Sequence, residues 1–429
     1  MAIVRRLRVG ARAPFFRAMA CPSSRAHSSD ARQEVSRRSR VLGIETSCDD
    51  TGVAVVDERG KILGQVLVTQ RDVHAGYGGV MPRAAEQAHC NALGKAVDEA
   101  LEQAQVEASE LDAVAVTVGP GLALCLAVGV RQARAIAAAN RLPIVPVHHM
   151  EAHALIARCE DASGDAKPDF PFLALLVSGG HNLMMLARGI GEYQQIGTTI
   201  DDALGEAYDK VARMLGLPVG GGGGPALEAL ALEGDPRKYK FSRPLQKRKN
   251  CDVSYAGLKT AVRLCIEAEL KGSPPSEENR KVRADIAASF QRVAVDHLAE
   301  RTQRAATWAK EIEPNIKHMV VAGGVASNQV VRASLKAIAR EAGFEFCCPP
   351  PKFCTDNGVM VAWAGLERFQ LGLHDAPPEL ESITEDEWVD VRPRWPLGER
   401  HPRVGEDTVS RGMKKKRLFP PLTGVAHAS

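Results

Sequence analysis

The chain has 429 residues, 45% of them hydrophobic but only 5% aromatic, with 38 glycines, which is material for two domains with their own cores and favours an α/β enzyme over a β-sandwich. The formal charge is +3, yet residues 1–40, with ten arginines against two acids, supply +8, so the remainder stands near −5. Global charge therefore gives no support for a nucleic-acid partner, and any such surface must be local.

In chain order, residues 1–40 are Arg-rich (Arg5, Arg6, Arg8, Arg12, Arg17 and Arg25 among them), Ser-rich and lysine-free. That composition predicts a mitochondrial presequence, with a basic arm for nucleic acid as the other reading. The first strand is expected to start at Val41, and Val41–Glu45 and Val53–Val56 read as short apolar strands around the polar loop Thr46-Ser47-Cys48-Asp49-Asp50-Thr51. Lys61–Thr69 reads as a third strand after a hairpin turn, followed by an Ala/Glu/Gln-rich helix over about 82–107. Ala113–Val118, a Gly-Pro-Gly turn, a helix through Ala139 and the strand Pro143–Val147 give strand–helix–strand order, hence parallel pairing. The same glycine turn interrupts the uncharged stretch 113–130, so no membrane span is expected.

The second half repeats the plan. Phe172–Val177 is a strand ending in Ser178-Gly179-Gly180-His181, with Leu183–Ala187 and Tyr193–Gly197 continuing an antiparallel set. Ile316–Val321 leads into Ala322-Gly323-Gly324-Val325-Ala326-Ser327-Asn328 and a helix to about Ala342. The run Gly220–Gly224 reads as a hinge, and beyond about 373 the chain becomes a Pro- and charge-rich tail with little core of its own, ending near Lys414-Lys415-Lys416-Arg417. The expected organisation is thus a presequence at 1–40, one α/β half at 41–148, a second at 149–372 and a tail at 373–429. The ten cysteines have no repeated spacing, which points to reduced, buried thiols.

Three polar or glycine-rich loops at strand ends, in two similar halves, suggest the actin-like ATPase plan, in which two related domains close on a nucleotide. Glycine turns let backbone N–H groups face a phosphate or sugar, although Gly-Gly after a strand also makes a plain tight turn. No Walker A or GxGxxG pattern competes.

His149 and His153 lie four apart after a buried strand, a spacing that stacks both imidazoles on one helix face toward a single metal ion. A third ligand must come from elsewhere in the fold; Asp356 is a candidate, although Thr355 and Asp356 before a helix read first as an N-cap. Two imidazoles and a carboxylate with open positions suit iron, zinc or manganese. A zincin protease requires Glu directly after the first histidine; here that position is Met150, and Glu151 would point elsewhere. Asp201 and Asp202 could serve the dipole of a helix start, with Asp209 two turns in and able to accept from ligand hydroxyls.

Gly-Ile-Glu-Thr-Ser-Cys-Asp-Asp-Thr at 43–51, Tyr-Gly-Gly-Val-Met-Pro at 77–82, Gly-Pro-Gly-Leu at 119–122, His-His-Met-Glu-Ala-His at 148–153, Leu-Val-Ser-Gly-Gly-His at 176–181, Ser-Tyr-Ala-Gly-Leu-Lys-Thr at 254–260 and Gly-Gly-Val-Ala-Ser-Asn at 323–328 occur together. Over about 41–372 the chain resembles the tRNA N6-adenosine threonylcarbamoyltransferase family, once described as O-sialoglycoprotein endopeptidases, and with its presequence a mitochondrial member. The resemblance implies an actin-like ATPase fold and transfer of threonylcarbamoyl from threonylcarbamoyl-AMP to N6 of adenosine 37 in tRNAs that read codons beginning with A. It implies a divalent metal, iron or zinc first, on His149, His153 and Asp356. It further implies that Leu176, Val177, Ser178, Gly179 and Gly180 line the substrate, and that Asp209, Gly224, Glu228, Ser327, Asn328 and Thr355 hold the adenylate.

The chain departs from the family's Pro-Gly-Gly-Pro, with five glycines before Pro225, which puts the register of Gly224 in doubt; Tyr208 and Tyr255 replace Phe. Within this chemistry Asp49 is the expected group to orient the attacking amine or take its proton. Arg131, Arg134 and Arg141, and separately Lys247-Arg248-Lys249, are basic clusters that either contact tRNA or form solvated faces. The resemblance leaves open whether the protein acts alone or as a homodimer. A metallopeptidase and an Hsp70-type nucleotide-binding module without transfer are the rival functions.

Overall fold

The computed structural model describes residues 38–74, 79–163, 166–218, 222–383 and 389–405. The expected presequence up to residue 37, Tyr77-Gly78, Gly220-Gly221 and the Lys414–Arg417 run lie outside the described residues. The described part is built on two sheets.

The first sheet takes β1 (Arg40–Glu45), β2 (Asp50–Asp57), β3 (Ile62–Thr69), β4 (Ala113–Gly119) and β5 (Ile144–His148) in the order β3-β2-β1-β4-β5. Helices α1 (Arg71–His74), α2 (Pro82–Ala104) and α3 (Ala123–Asn140) belong to this half, and α4 (His149–Leu155) follows β5. Strand β1 pairs antiparallel with β2 and parallel with β4, and β4 pairs parallel with β5.

The second sheet repeats that wiring. It takes β6 (Phe172–Val177), β7 (Asn182–Gly189), β8 (Glu192–Thr198), β9 (His318–Ala322) and β10 (Glu345–Cys347) in the order β10-β9-β6-β7-β8, with antiparallel β6–β7 and β7–β8 and parallel β6–β9 and β9–β10. Between β8 and β9 run α5 (Leu204–Met214), α6 (Gly224–Ala231), α7 (Ala256–Leu270) and the 36-residue α8 (Glu277–Ile312); α9 (Gln329–Glu341) lies between β9 and β10. Two sheets with one strand order and one pattern of directions are the duplicated actin-like α/β plan read from the sequence.

An interior strand of each sheet is buried on both faces and is a continuous apolar run, as a sheet covered on both sides requires: β4 reads AVAVTVG and β6 reads FLALLV, every residue buried. The uncharged stretch at 113–130 is β4 and the start of α3, and no helix among the described residues is long and apolar enough to cross a membrane. The described cysteines are all free, most of them buried.

Packing departs from the expected boundaries in two places. After α10 (Pro351–Cys354), helix α11 (Gly358–Gln370) falls within the range assigned to the second half but lies across β1, β2 and β4 of the first sheet. Its sequence GVMVAWAGLERFQ is apolar on almost every side, so it needs burial all round. Close approach depends on small residues: a Cβ on Gly43 of β1 would collide with the Ala362 backbone, and one on Gly358 with the Val53 backbone. A cut at 148/149 by chain order therefore does not follow the packing.

The second departure is the tail. Asp375 exchanges backbone hydrogen bonds with Ile144 of β5, Arg392 N donates to Val118 O (2.7 Å), and Gly121 N donates to Pro393 O (3.3 Å). Val389 and Leu397 are buried, and β11 (Glu399–Arg400) joins the second sheet beside β8 before α12 (Pro402–Gly405). Residues 389–405 thus strap one sheet to the other. Proline and charge density hid this, because the strap buries single residues rather than a periodic face.

Candidate metal centre and its flanking loops

Helix α4 begins directly at the end of buried β5, and His148 caps it by accepting from Met150 N (3.1 Å) while its Nε2 donates to Trp395 O in the strap (3.0 Å). Every residue of α4 is buried, so the His149 and His153 rings point into the protein, edge to face at 4.7 Å between centroids. Asp356 arrives from the turn before α11. The residue that caps α11 is Asn357, whose Oδ1 accepts from Met360 N (3.0 Å), which leaves the Asp356 carboxylate free to face the histidines. Asp356 Oδ1 lies 3.1 Å from His153 Nε2 and 3.6 Å from His149 Nε2, and one donor atom from each residue lies within 4.8 Å of the others.

A buried acid behind His149 orients this set. Glu45 ends β1 as a fully buried acid; its Oε2 sits 3.2 Å from His149 Nδ1 and accepts from Thr117 Oγ1 (2.6 Å), and its Oε1 accepts from Ser47 N (2.6 Å). Holding Nδ1 of His149 this way fixes the ring with Nε2 toward Asp356, the arrangement metal-binding histidines use. His153 has no such support, since its buried Nδ1 lacks a partner.

The cluster favours positive charge. Burial alone would depress the His149 imidazole, but the Asp356 and Glu45 carboxylates outweigh it and push its pKa up to about 9. Burial would raise Asp356, yet His149 and His153 hold it well below the usual carboxylate range. Two carboxylates and two imidazoles converging in a largely buried pocket suit a divalent cation, and the donor set matches the open two-histidine, one-carboxylate type.

Other titratable groups lie close enough to feel this cluster's charge. Asp49 is half-buried at the mouth of β2. Its neighbour Asp50 is pushed up to about 6, first by burial and then by the charges of Asp49 and Asp356. His181, at the end of the Ser-Gly-Gly turn, is depressed by burial and then by His149 and His153. Sequence reasoning placed Glu45 and Asp50 only in a polar loop that could face a nucleotide, and gave neither them nor His181 a place at the metal site. The available signal for Glu45 was an acid closing an otherwise apolar strand.

The expected substrate loops gather around this pocket with unequal roles. Leu176 and Val177 are core residues of β6, so a ligand can meet only their backbone. Ser178 Oγ accepts from His181 N (3.1 Å), and Gly179 and Gly180 are exposed, with open space where a Cβ would go. The 323–328 turn lies beside them, because a Cβ on Gly323, at φ +96°, would enter the Val177 carbonyl. Gly324 in turn faces Thr355, the exposed neighbour of Asp356. Metal ligands and glycine loops therefore share one rim.

Some expected contacts are already committed within the protein. Asp209 Oδ1 accepts from Gly223 N (2.6 Å) at the start of α6, where Gly224 begins the helix, and Glu228 Oε1 accepts from Gln329 N (2.7 Å) at the start of α9. Asn328 caps α9, accepting from Val331 N (3.0 Å) and donating to Gln291 (3.3 Å). Ser327 Oγ reaches Pro351 O at 3.5 Å. Asp201 accepts from Tyr255 N (2.9 Å) and Asp202 pairs with Lys259 (2.6 Å), so these acids tie α5 to α7.

Proteolysis lacks its base. Glu151 is buried with Oε1 accepting from Gly191 N (2.7 Å) and Oε2 paired with Arg368 (3.0 Å), turned away from the histidines.

Residues 61–363 match the family model described as TsaD: tRNA N6-adenosine threonylcarbamoyltransferase. A probable mitochondrial tRNA N6-adenosine threonylcarbamoyltransferase of Arabidopsis thaliana is 54% identical over 393 residues, covering 90% of this chain and 80% of that one. The tRNA N6-adenosine threonylcarbamoyltransferase of Paramagnetospirillum magneticum is 46% identical over 83% of this chain and 96% of its own. Among solved structures, component A of (R)-2-hydroxyglutaryl-CoA dehydratase from Acidaminococcus fermentans is 14% identical over 77% of this chain and 98% of that one, with a TM-score of 0.45. The chain belongs to the tRNA N6-adenosine threonylcarbamoyltransferase family, and it is a transferase.

Proposed function

We propose that this protein works in the mitochondrial matrix, where it transfers the threonylcarbamoyl group of threonylcarbamoyl-AMP to N6 of adenosine 37 in tRNAs reading codons that begin with A. The observation that supports this most is the shared rim: a His149–His153–Asp356 set, its histidines buried and its carboxylate half-buried, opens beside the glycine turns at 178–180 and 323–328. The mitochondrial part rests on the Arg-rich first forty residues and on the plant relative's name.

In this reading His149, His153 and Asp356 hold one divalent metal ion, iron or zinc. When bound, the ion supplies Lewis-acid polarisation and a point of attachment for substrate oxygens. The backbone of Leu176–Gly180, with Ser327 and Thr355 opposite, receives the adenylate, while Asp209 and Glu228 hold the N-termini of α6 and α9 in place for it through Gly223, Gly224 and Gln329. Asn328 sets the turn by capping α9. The N6 amine attacks the carbamoyl carbon, the bond from that carbon to the phosphate oxygen breaks, and AMP leaves with the electron pair. The Asp49 carboxylate orients the amine and takes its proton.

Incubating the purified chain with threonylcarbamoyl-AMP and unmodified tRNA, then analysing nucleosides by mass spectrometry, tests the reading. The modified adenosine is expected at position 37. Its absence in metal-replete samples would reject transfer, and full transfer by Asp49→Asn with normal substrate affinity would reject the role of Asp49.

A further inference from the structure

Residues 236–249, Pro-Arg-Lys-Tyr-Lys-Phe-Ser-Arg-Pro-Leu-Gln-Lys-Arg-Lys, hold seven basic side chains and no acid, in a chain whose remainder beyond residue 40 is net negative. Basic runs are commonly just solvated faces, which need no fixed shape. This one is fixed. Tyr239 and Phe241 stack at 6.4 Å and pack against the core of the second half, anchoring its first part.

Its tip is a tight turn in which Arg248 N donates to Leu245 O (2.9 Å) and Leu245 takes a left-handed φ of 50°, a costly conformation for leucine. Beneath it Arg301 of α8, fully buried, donates to the carbonyls of Leu245 (2.6 Å), Arg248 (2.8 Å) and Asn250 (2.7 Å), and Arg304 adds a bond to Asn250 O (2.8 Å). A buried guanidinium bonded to backbone carbonyls, with no carboxylate pair among the described residues, is an expensive way to hold a loop. What it presents is Lys247, Arg248 and Lys249, all exposed and none ion-paired among the described residues.

The turn is wired to the ligand-facing loops. Asn250 donates to Asp252 (3.0 Å), Thr198 N donates to Asp252 (3.1 Å), Ile200 N donates to Val253 O (3.0 Å), and Asp201 receives Tyr255 N (2.9 Å). Helix α5, just beyond, donates from Gly205 and Glu206 N to Ser178 and Gly179 O (3.3 and 3.2 Å). Between the turn and Thr198–Ile200 lies a recess of about 490 Å³, lined by Arg248, Asn250, Asp252 and Arg400; Arg400 is paired with Asp252 (3.2 Å), so Arg248 is the cation this recess offers a phosphate.

We propose that the Arg301-clamped turn carrying Lys247, Arg248 and Lys249 is a preformed docking surface for the phosphate backbone of the RNA whose base enters the site. It rests on the reading that tRNA is the substrate. Phosphate contacts fix register without reading sequence, so the surface positions any substrate tRNA alike.

The test is the full chain with Lys247, Arg248 and Lys249 all changed to Glu, a surface change that leaves Arg301 and the fold in place. Filter binding of unmodified tRNA at several salt concentrations is measured apart from transfer. The expected result is a loss of tRNA affinity of about tenfold or more and a salt slope shallower by about two to three, with binding of threonylcarbamoyl-AMP unchanged. Wild-type tRNA affinity and slope in the triple variant would overturn the inference, also if the variant instead lost binding to cardiolipin vesicles. Loop-dependent tRNA binding without transfer in the wild type would uphold this surface while sinking the transferase reading.

Discussion

The two sides of the rim are built from different material. The candidate metal side is made of side chains: Glu45, His149, His153 and Asp356 come from three distant segments, each within 3.6 Å of the next. The glycine side, where the proposed reading seats the adenylate, is made of backbone, at 178–180 and 323–328, with side chains such as Asp209 and Asn328 used beneath it to fix helix starts. Away from the rim the second half treats a histidine differently: His149 is pushed up to about 9 by carboxylates that outweigh its burial, whereas His297, buried on α8, is pushed down to about 4 by burial and then by Arg301. A side-chain site loses its function when one group is removed. A backbone site instead loses it when something is added.

The largest expected effect is on the metal side. Asp356→Ala removes a ligand and is predicted to abolish metal retention and to lower transfer by about a thousandfold or more; near-normal metal content by elemental analysis would break the comparison. Next comes a glycine of the backbone side. Gly323→Val forces a Cβ into the Val177 carbonyl at positive φ and should cost several kcal/mol of stability by roughly the strain scale for such positions, read as a lowered unfolding midpoint. Glu45→Gln should weaken metal affinity by about 10- to 100-fold while leaving the fold intact, because it loosens His149 without deleting a ligand.

The pH response separates the two histidines further. His297 Nε2 accepts from Ser254 N (3.2 Å), so the folded protein needs that ring neutral. Because its folded pKa, about 4, lies below the unfolded value, its contribution is whole above about pH 6.5 and is lost as pH falls toward 4, at up to about 1.4 kcal/mol per pH unit. His297→Gln should flatten that slope in denaturant titrations, and an unchanged slope would remove His297 from the account. Smallest in stability is Gly179→Ala, which meets open space and should shift unfolding by less than about 1 kcal/mol while still reducing transfer by crowding the ligand.

Much of this was legible in the sequence, for physical reasons. Period-two and continuous apolar runs located β1, β4, β6 and β9 to within a residue or two, and the repeated order of strands and turns predicted two matched halves. The four-residue spacing of His149 and His153 carried the metal face because a helix turn is a fixed length. Asp356 could be joined to it only through resemblance, since no local pattern says that α11 returns to the first sheet; that depends on Gly43 and Gly358 allowing two backbones to touch. Residues 389–405 were misread as tail for the same reason, as their contacts are single residues set on distant strands. Glu45 was hidden by its neighbours, and Arg301 by its place in a long helix rich in charge.

The most direct measurement couples metal content to transfer in a single sample series. Protein purified anaerobically, stripped of metal and reloaded with graded iron or zinc, is given threonylcarbamoyl-AMP and unmodified tRNA, and bound metal and modified adenosine are quantified together. Modified adenosine should rise in proportion to metal up to one ion per chain in the wild type and stay at background in Asp356→Ala. Transfer that is unaffected by metal removal, or equally high in Asp356→Ala, would contradict the assignment of this pocket as the metal side of the transferase site.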